Sequence, residues 1–210
     1  MTHAPRWCLS TTPHSGTRYI RDTFVDAGCK AYHARITKPH IDQQIDLIWG
    51  HCDRGHENWM CTVKETWPDV RHLLVVRDPM ANLATHWKVH AARKGNSEIT
   101  HTLRHIGNSL DLYRRIQEDY IEQYDPYIHK VEDPIFTLGH WAGVALKQGS
   151  ERHSQGDTPI RQAVADRNLD TIFNIVRYSN LMDWFINEHS ANLAPLYRDQ
   201  LGYDFWWYNG

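Results

Sequence analysis

The chain contains little cysteine and no long apolar segment. Its four cysteines, Cys8, Cys29, Cys52 and Cys61, form no C-x-x-C pair. We therefore expect free thiols in a reducing compartment and predict a cytoplasmic location. No stretch is long and apolar enough to span a membrane, and the first residues lack the hydrophobic core of a secretory signal. These absences predict a protein with no membrane partner.

The chain also lacks an excess of charge of one sign. It has 23 Lys and Arg against 25 Asp and Glu, so its formal net charge is −2 with histidine neutral. Because this charge provides no overall basic field, we expect no nucleic-acid partner. The 41% hydrophobic and 23% charged residues are typical of a soluble globular protein. A length of 210 residues predicts a single domain, residues 1–210, with a well-buried core.

Histidine, in contrast, is abundant, with 15 residues. His86 with His90, and His101 with His105, are spaced to share a helix face. No H-E-x-x-H motif or cysteine cluster accompanies these pairs. We therefore predict no metal site and interpret these residues as exposed helix histidines.

Strand-like and helix-like segments alternate along the chain. Short apolar segments occupy residues 6–10, 31–36, 45–49, 72–76 and 127–131. Helical patterns cover residues 17–27, 57–66, 79–93, 102–124, 136–146, 160–178 and 181–199, and residues 147–159 form a polar loop. Since His72–Val76 is almost continuously apolar, it is typical of a strand that is covered on both faces. The alternation predicts an α/β fold, a three-layer α/β/α sandwich with a central parallel sheet.

The segment from Leu9 to Tyr19 predicts an anion-binding loop. An apolar strand leads into a turn rich in hydroxyl groups, and a helix follows. The predicted loop residues are Pro13, His14, Ser15, Gly16, Thr17 and Arg18. Backbone N–H groups at a helix N-terminus bind phosphate or sulfate, and a glycine lets the backbone approach closely. The segment lacks the second glycine and the lysine of a Walker A loop. The alternative is an ordinary corner with Ser15 or Thr17 as the N-cap.

A second candidate site follows the apolar strand at residues 72–76. Arg77 comes directly after this strand, where α/β sheets bind their ligands, and its planar guanidinium suits a phosphate. Thr85, eight residues further on, lies about two turns into the predicted helix and can add a hydroxyl donor. The alternative is a structural salt bridge between Arg77 and an aspartate.

Together, the two segments resemble those of the sulfotransferases that use 3′-phosphoadenosine-5′-phosphosulfate (PAPS) as donor. Pro13–Thr17 is similar to their phosphosulfate loop, P-K-S-G-T-T, and Arg77 with Thr85 is similar to their 3′-phosphate motif. Weaker similarities are Trp49-Gly50-His51, the His129–Asp133 segment and Leu201-Gly202-Tyr203. The resemblance covers about residues 6–135 well and the remainder loosely.

The resemblance implies a P-loop NTPase-like sulfotransferase fold and metal-independent transfer of a sulfuryl group. Ser15, Gly16 and Thr17 would hold the 5′-phosphosulfate, and Arg77 with Thr85 would hold the 3′-phosphate. His51 would act as the catalytic base.

One position departs from the family pattern. His14 stands where the family usually has lysine or arginine to stabilise the departing phosphate. Protonated His14 or the neighbouring Arg18 would then supply the cation, and Lys64 is a further candidate.

The acceptor is not specified by the sequence beyond a small molecule or a glycan. The aromatic segment 203–208 would wall an acceptor pocket, stack on a sugar, fill the core or form a homo-oligomer contact. The polar loop 147–159 is a candidate lid. Two other functions remain open: a nucleotide or small-molecule kinase, which would need a metal-binding acid such as Asp78, and a binding protein with weak or no catalytic activity.

Overall fold

A computed structural model describes most of the chain. The described residues are 4–33, 45–52, 56–94, 99–148, 158–173 and 179–208. The contacts divide the chain into two compact units. The first unit comprises Met1–Arg77 and Ile116–Glu151, and the second comprises Asp78–Arg115 and Arg152–Gly210.

A five-stranded parallel sheet forms the centre of the first unit. Its strands are β1 (Trp7–Thr11), β2 (Ala31–His33), β3 (Leu47–His51), β4 (Arg71–Val76) and β5 (Tyr127–Lys130). They lie in the order β2-β3-β1-β4-β5, and every neighbouring pair is parallel. The predicted α/β class with a central parallel sheet is therefore confirmed.

Helices cover both faces of this sheet. They are α1 (Thr17–Asp26), α2 (His56–Thr66), α5 (Ile135–Ala142) and the C-terminal part of α4 (Ile99–Tyr124). On one face, Leu9 belongs to a core cluster with Phe24 of α1 and Leu138 of α5. On the other face, the Cys8 thiol lies 3.9 Å from the sulfur of Met60 in α2. Burial on both sides explains the continuous apolar pattern of these strands.

The cysteines of this unit form no disulfide, and buried Cys8 is unreactive. All four cysteines are free thiols, as the sequence predicts. Burial raises the pKa of Cys8 to about 12, and a hydrogen bond with Tyr120 of α4 only partly opposes this effect. Because the thiolate is the reactive form, Cys8 is unreactive at neutral pH.

The strand order places a change in the direction of the chain connections between the two central strands, β1 and β4. From β1 the chain passes to β2 on one side of the sheet, and from β4 it passes to β5 on the other side. Since β1 and β4 are neighbours, their connections leave the sheet in opposite directions at the carboxyl ends. Open α/β sheets bind ligands at such a point.

The second unit is helical within the described residues. It contains α3 (Pro79–Lys94), the N-terminal part of α4, α6 (Thr158–Ala165), α7 (Leu169–Phe173), α8 (Ser179–Ala194) and a π-helical turn (Pro195–Gln200). The His189 ring of α8 lies against Gly107 of α4, and its Nδ1 is 3.1 Å from an Asp111 carboxylate oxygen. In the aromatic C-terminal segment, Trp207 donates to Ser190 Oγ at 2.9 Å, and Phe205 is buried. Part of the aromatic C-terminal segment is therefore packed within the second unit.

Three predicted helices have different bounds in the structure. The helix predicted over 136–146 ends at Ala142, because Gly143 adopts the left-handed conformation with φ 69°. The segment 160–178 is not one helix, since α6 and α7 are separated near Arg167, which has φ 53°. In the segment 181–199, α8 ends at Ala194 and a π-helical turn begins at Pro195.

Other predicted elements lie partly outside the described residues. The strand predicted over 31–36 is described only as Ala31–His33, and most of the 147–159 loop is outside the described ranges. Within those ranges, no helix combines the length and the apolar character needed to cross a membrane.

Candidate functional site

The loop between β1 and α1 leaves a helix N-terminus without a side-chain cap. The N-cap of α1 is Gly16, in the left-handed conformation with φ 76° and ψ 17°, and it makes no side-chain capping bond. The alternative in which Ser15 or Thr17 is the N-cap of this helix therefore does not hold. The first N–H groups of an α-helix have no partner within the helix, so this end of α1 is suited to an anion.

Three hydroxyl groups line the same loop. The Thr12 and Ser15 hydroxyls hydrogen-bond to each other, and the Ser15 N–H donates to the Thr12 carbonyl at 3.2 Å. Thr17, at the first position of α1, is only 5% exposed. Its hydroxyl has no hydrogen-bond partner among the described residues. Since buried polar groups are normally satisfied, this hydroxyl at a helix N-terminus points to a ligand contact.

The loop contains two residues in the left-handed conformation. One is Gly16, and the other is His14, with φ 64°. A Cβ on Gly16 would lie 3.1 Å from Cγ2 of Val131, the first residue after β5. Val131 is held in place because its N–H donates to the Val76 carbonyl at 2.9 Å. The positive φ and this close approach together require glycine at position 16.

Arg77 reaches this loop from the neighbouring strand. It follows β4 directly and is buried, with 4% of its surface exposed. Its Nη1 donates to the main-chain carbonyl of His14 at 2.8 Å. The two segments that the sequence singled out therefore meet at one edge of the sheet. A guanidinium keeps its positive charge at neutral pH, so Arg77 adds buried positive charge beside the N-terminus of α1.

His51 lies at the same edge, at the end of β3. It pairs in register with Thr11, the last residue of β1 before the loop. The next residue, Cys52, fixes this arrangement, because its N–H donates to the Thr11 carbonyl at 2.7 Å and its sulfur lies 2.9 Å from Ser10 Oγ. The His51 ring is partly exposed and lies edge-on to Trp49, with ring centroids 5.9 Å apart.

The remaining loop residues differ in exposure. Pro13 and His14 are partly exposed within the loop, whereas Arg18 is exposed on the first turn of α1. Lys64 lies elsewhere, since its Nζ is 5.7 Å from the ring of Tyr124. The Tyr124 ring is tilted against that of His72 at the amino end of β4, so Lys64 is an exposed helix residue at the opposite edge of the sheet from the loop.

Thr85 and Asp78 belong to the second unit. The Thr85 hydroxyl donates to the Ala81 carbonyl within α3 at 3.0 Å. Asp78 caps the same helix, since its carboxylate accepts the Ala81 N–H at 2.9 Å, and Pro79 is the first helical residue, as predicted. The acid that a kinase would need is thus engaged in helix capping.

Three of the four paired histidines have described side chains, and these three form no recognised metal site. The His86 and His90 rings stack with centroids 5.9 Å apart, and His105 lies 5.1 Å from His90. His86 is buried, so its interpretation as an exposed helix histidine is wrong. The His101 side chain lies outside the described residues. In the described part of the chain, no group of three or more His, Cys, Asp or Glu side chains is arranged to hold a metal ion.

Two contributors to the site carry no signal in the sequence. Val131 was predicted only as part of a strand, and nothing in its local sequence indicates that it contacts Gly16. Likewise, the left-handed conformation of His14 has no local signature, because residues with a Cβ adopt it rarely.

As a whole, the edge combines an uncapped helix N-terminus, a buried guanidinium and a nearby imidazole. This combination can bind an anion and accept a proton from a group placed beside it. A scan against protein-family models and a search of curated proteins find no match to this chain.

Proposed function

We propose that this chain is a sulfotransferase that uses PAPS as donor and a hydroxyl or amine as acceptor. One observation carries the proposal: the Arg77 guanidinium lies 2.8 Å from the His14 carbonyl of the loop. The resemblance requires a 5′-phosphosulfate loop and a 3′-phosphate arginine to grip one donor molecule. Their meeting at a single edge of the sheet supports this requirement, and the parallel α/β sheet suits a P-loop-like sulfotransferase fold.

The loop would hold the 5′-phosphosulfate. The N–H groups of Gly16 and Thr17 lie at the start of α1, and the buried Thr17 hydroxyl supplies a further donor. Arg77 would hold the 3′-phosphate. Recognition of this phosphate distinguishes PAPS from ATP, and a charged fork such as guanidinium suits it.

In the proposed reaction, the acceptor oxygen or nitrogen forms a bond to sulfur while the bond between sulfur and the 5′-phosphate oxygen breaks. The acceptor proton moves to His51, and the leaving group is 3′-phosphoadenosine 5′-phosphate (PAP). Charge develops on the leaving phosphate, so positioned donors in the loop accelerate the step. Histidine is a common general base near neutral pH, which suits His51 to accept the proton.

His14 and Arg18 would stabilise the leaving phosphate. Histidine carries a positive charge only in its protonated form, so His14 is not equivalent to the lysine usual in the family. We expect His14→Lys to raise turnover or to flatten its dependence on pH, measured as kcat between pH 6 and 8. An unchanged profile would assign the leaving group to Arg18 or to backbone donors.

A ligand screen tests the proposal. We expect PAP to raise the melting temperature without any metal and to bind in calorimetry, and PAPS to be consumed in the presence of an acceptor panel. Stabilisation by ATP with Mg²⁺ instead of PAP would favour the kinase. Binding of PAP without turnover of any acceptor would favour a binding protein. The histidine at position 14, where the family usually has lysine or arginine, would explain that outcome.

Arg77→Ala directly tests the contact between Arg77 and the loop, on which the proposal rests. Loss of a charge-assisted hydrogen bond should weaken PAP binding by about 1.5–3 kcal/mol. Arg71→Ala is a matched control, because Arg71 also donates to a main-chain carbonyl, that of Trp141 at 2.7 Å, but at the amino end of the same strand. Unchanged PAP affinity in Arg77→Ala would remove Arg77 from the site.

A further inference from the structure

We infer that Arg77 is also a positioning residue, which holds the anion loop in its binding shape through the His14 carbonyl. The inference rests on one part of the proposed function, namely that the loop between β1 and α1 binds an anion. It goes further, because it assigns Arg77 an effect on anions that bind to the loop and carry no 3′-phosphate.

The peptide group between His14 and Ser15 is held at both of its polar atoms. Its carbonyl oxygen accepts from Arg77 Nη1 at 2.8 Å, and its N–H donates to the Thr12 carbonyl at 3.2 Å. A peptide group is planar, so two such bonds fix its orientation. The direction in which the chain enters Ser15 and Gly16 follows from that orientation.

The conformation that these bonds hold is unfavourable without them. His14 has φ 64°, a region that is disfavoured for residues with a Cβ. A residue keeps such a strained conformation only where several surrounding contacts hold it there. The bond from Arg77 is partly buried and its donor residue is only 4% exposed, and a charge-assisted bond is among the stronger ones available to a carbonyl.

The test measures binding of inorganic sulfate and of pyrophosphate, which probe the loop alone, by calorimetry. Arg77→Met removes the donors but keeps a long side chain, and it is compared in three backgrounds: the natural chain, His14→Gly and His14→Ala. Glycine adopts a positive φ without penalty, so His14→Gly removes the need for the Arg77 bond. His14→Ala removes the imidazole but keeps the penalty.

We expect Arg77→Met to weaken sulfate and pyrophosphate binding at least fivefold in the natural chain and in His14→Ala. In His14→Gly the loss should shrink to less than twofold. Arg71→Met, the matched control, should change anion affinity by less than twofold in every background. Unfolding in urea, followed for each variant, separates this coupling from a general loss of stability.

An equal loss in all three backgrounds would overturn the inference, since Arg77 would then act on the anion only directly. Loss of affinity that His14→Ala relieves as well as His14→Gly would also overturn it, because the imidazole and not the backbone would be responsible. If the variants behave as expected and PAP still does not bind the natural chain, the positioning role holds and the sulfotransferase proposal fails. If PAP binds and the losses are equal in all backgrounds, the reverse applies.

Discussion

The two edges of one parallel sheet use arginine in different ways. Arg71 begins β4 at the amino edge, and Arg77 follows the same strand at the carboxyl edge. Each donates to a main-chain carbonyl, at 2.7 Å to Trp141 and at 2.8 Å to His14. Arg71 is exposed and lies 4.3 Å above the Trp141 ring, whereas Arg77 is buried.

The comparison shows that two arginine hydrogen bonds of similar length contribute differently when one arginine is exposed and the other is buried. At the amino edge, Arg71 and the stacked rings of Tyr127 and Trp141 connect α5 to the sheet. Because Arg71 is exposed, its charge is solvated by water. At the carboxyl edge, the helix N-terminus and the buried charge of Arg77 together raise the positive potential. Packing therefore dominates the amino edge, and anion recognition is proposed for the carboxyl edge.

The largest expected contrast between the two edges is in turnover. His51 ends β3 at the carboxyl edge, and His72 is the second residue of β4 at the amino edge. His51→Ala should lower kcat by about 10²-fold or more, since general-base catalysis contributes that much, while PAP affinity stays within about twofold. Steady-state rates and calorimetry measure the two effects.

His72→Asn is the matched control, and it should leave kcat at pH 7.5 unchanged. Full turnover in His51→Ala would show that another group takes the acceptor proton. An equal loss of turnover in both variants would remove the distinction between the two edges.

Glycines at the two ends of α1 give the next contrast. Gly16 has φ 76° and lies against Val131, whereas Gly28, just beyond the helix, has φ 85° and open space within 4 Å of the point where a Cβ would lie. Alanine at either position should cost about 1–2 kcal/mol of unfolding free energy, because both φ angles are left-handed. Only Gly16→Ala should also weaken the binding of PAP and inorganic sulfate.

Urea unfolding and calorimetry on both variants test this expectation. Gly28→Ala provides the control for backbone strain at a distance from the loop. If Gly16→Ala binds both anions as tightly as Gly28→Ala does, the close contact with Val131 has no part in shaping the loop.

The sequence predicted most of the sheet because its signals are local. The apolar segments predicted over 6–10 and 72–76 are strands in the structure: β1 is shifted by one residue at both ends, and β4 begins one residue earlier. The meeting of Arg77 with the loop could also be expected, because parallel strands place their carboxyl ends at one edge. These features depend on pattern and topology, which a single sequence contains.

The atomic details of the site depend on contacts between distant segments. No local pattern indicates that Arg77 donates to the His14 carbonyl, or that Val131 closes on Gly16. The break near Arg167 has the same cause, since a left-handed arginine follows no propensity rule. Tertiary packing selects these conformations, so the sequence alone could not predict them.

The smallest expected effect is on the pH dependence of stability, and it involves His72 at the amino edge. Burial lowers the pKa of His72 to about 4, and nearby Lys64 adds to the effect. Above pH 6.5 the ring is neutral in both the folded and the unfolded chain, so it makes no pH-dependent contribution. Between pH 6.5 and about 4, the unfolded chain binds a proton that the folded chain does not, so stability falls as the pH falls.

The expected difference is about 1 kcal/mol between pH 7.5 and pH 5, because the half-buried ring is partly screened by water. His72→Asn removes the titration and keeps a group that can bond the Tyr120 hydroxyl, which lies 2.8 Å from His72 Nδ1. Urea unfolding at the two pH values should therefore show a smaller loss in the variant than in the natural chain. Burial lowers the pKa of His129 in the same direction, so the variant should retain part of the acid sensitivity. An identical loss in both proteins would place the acid sensitivity elsewhere, with His129 as the next residue to replace.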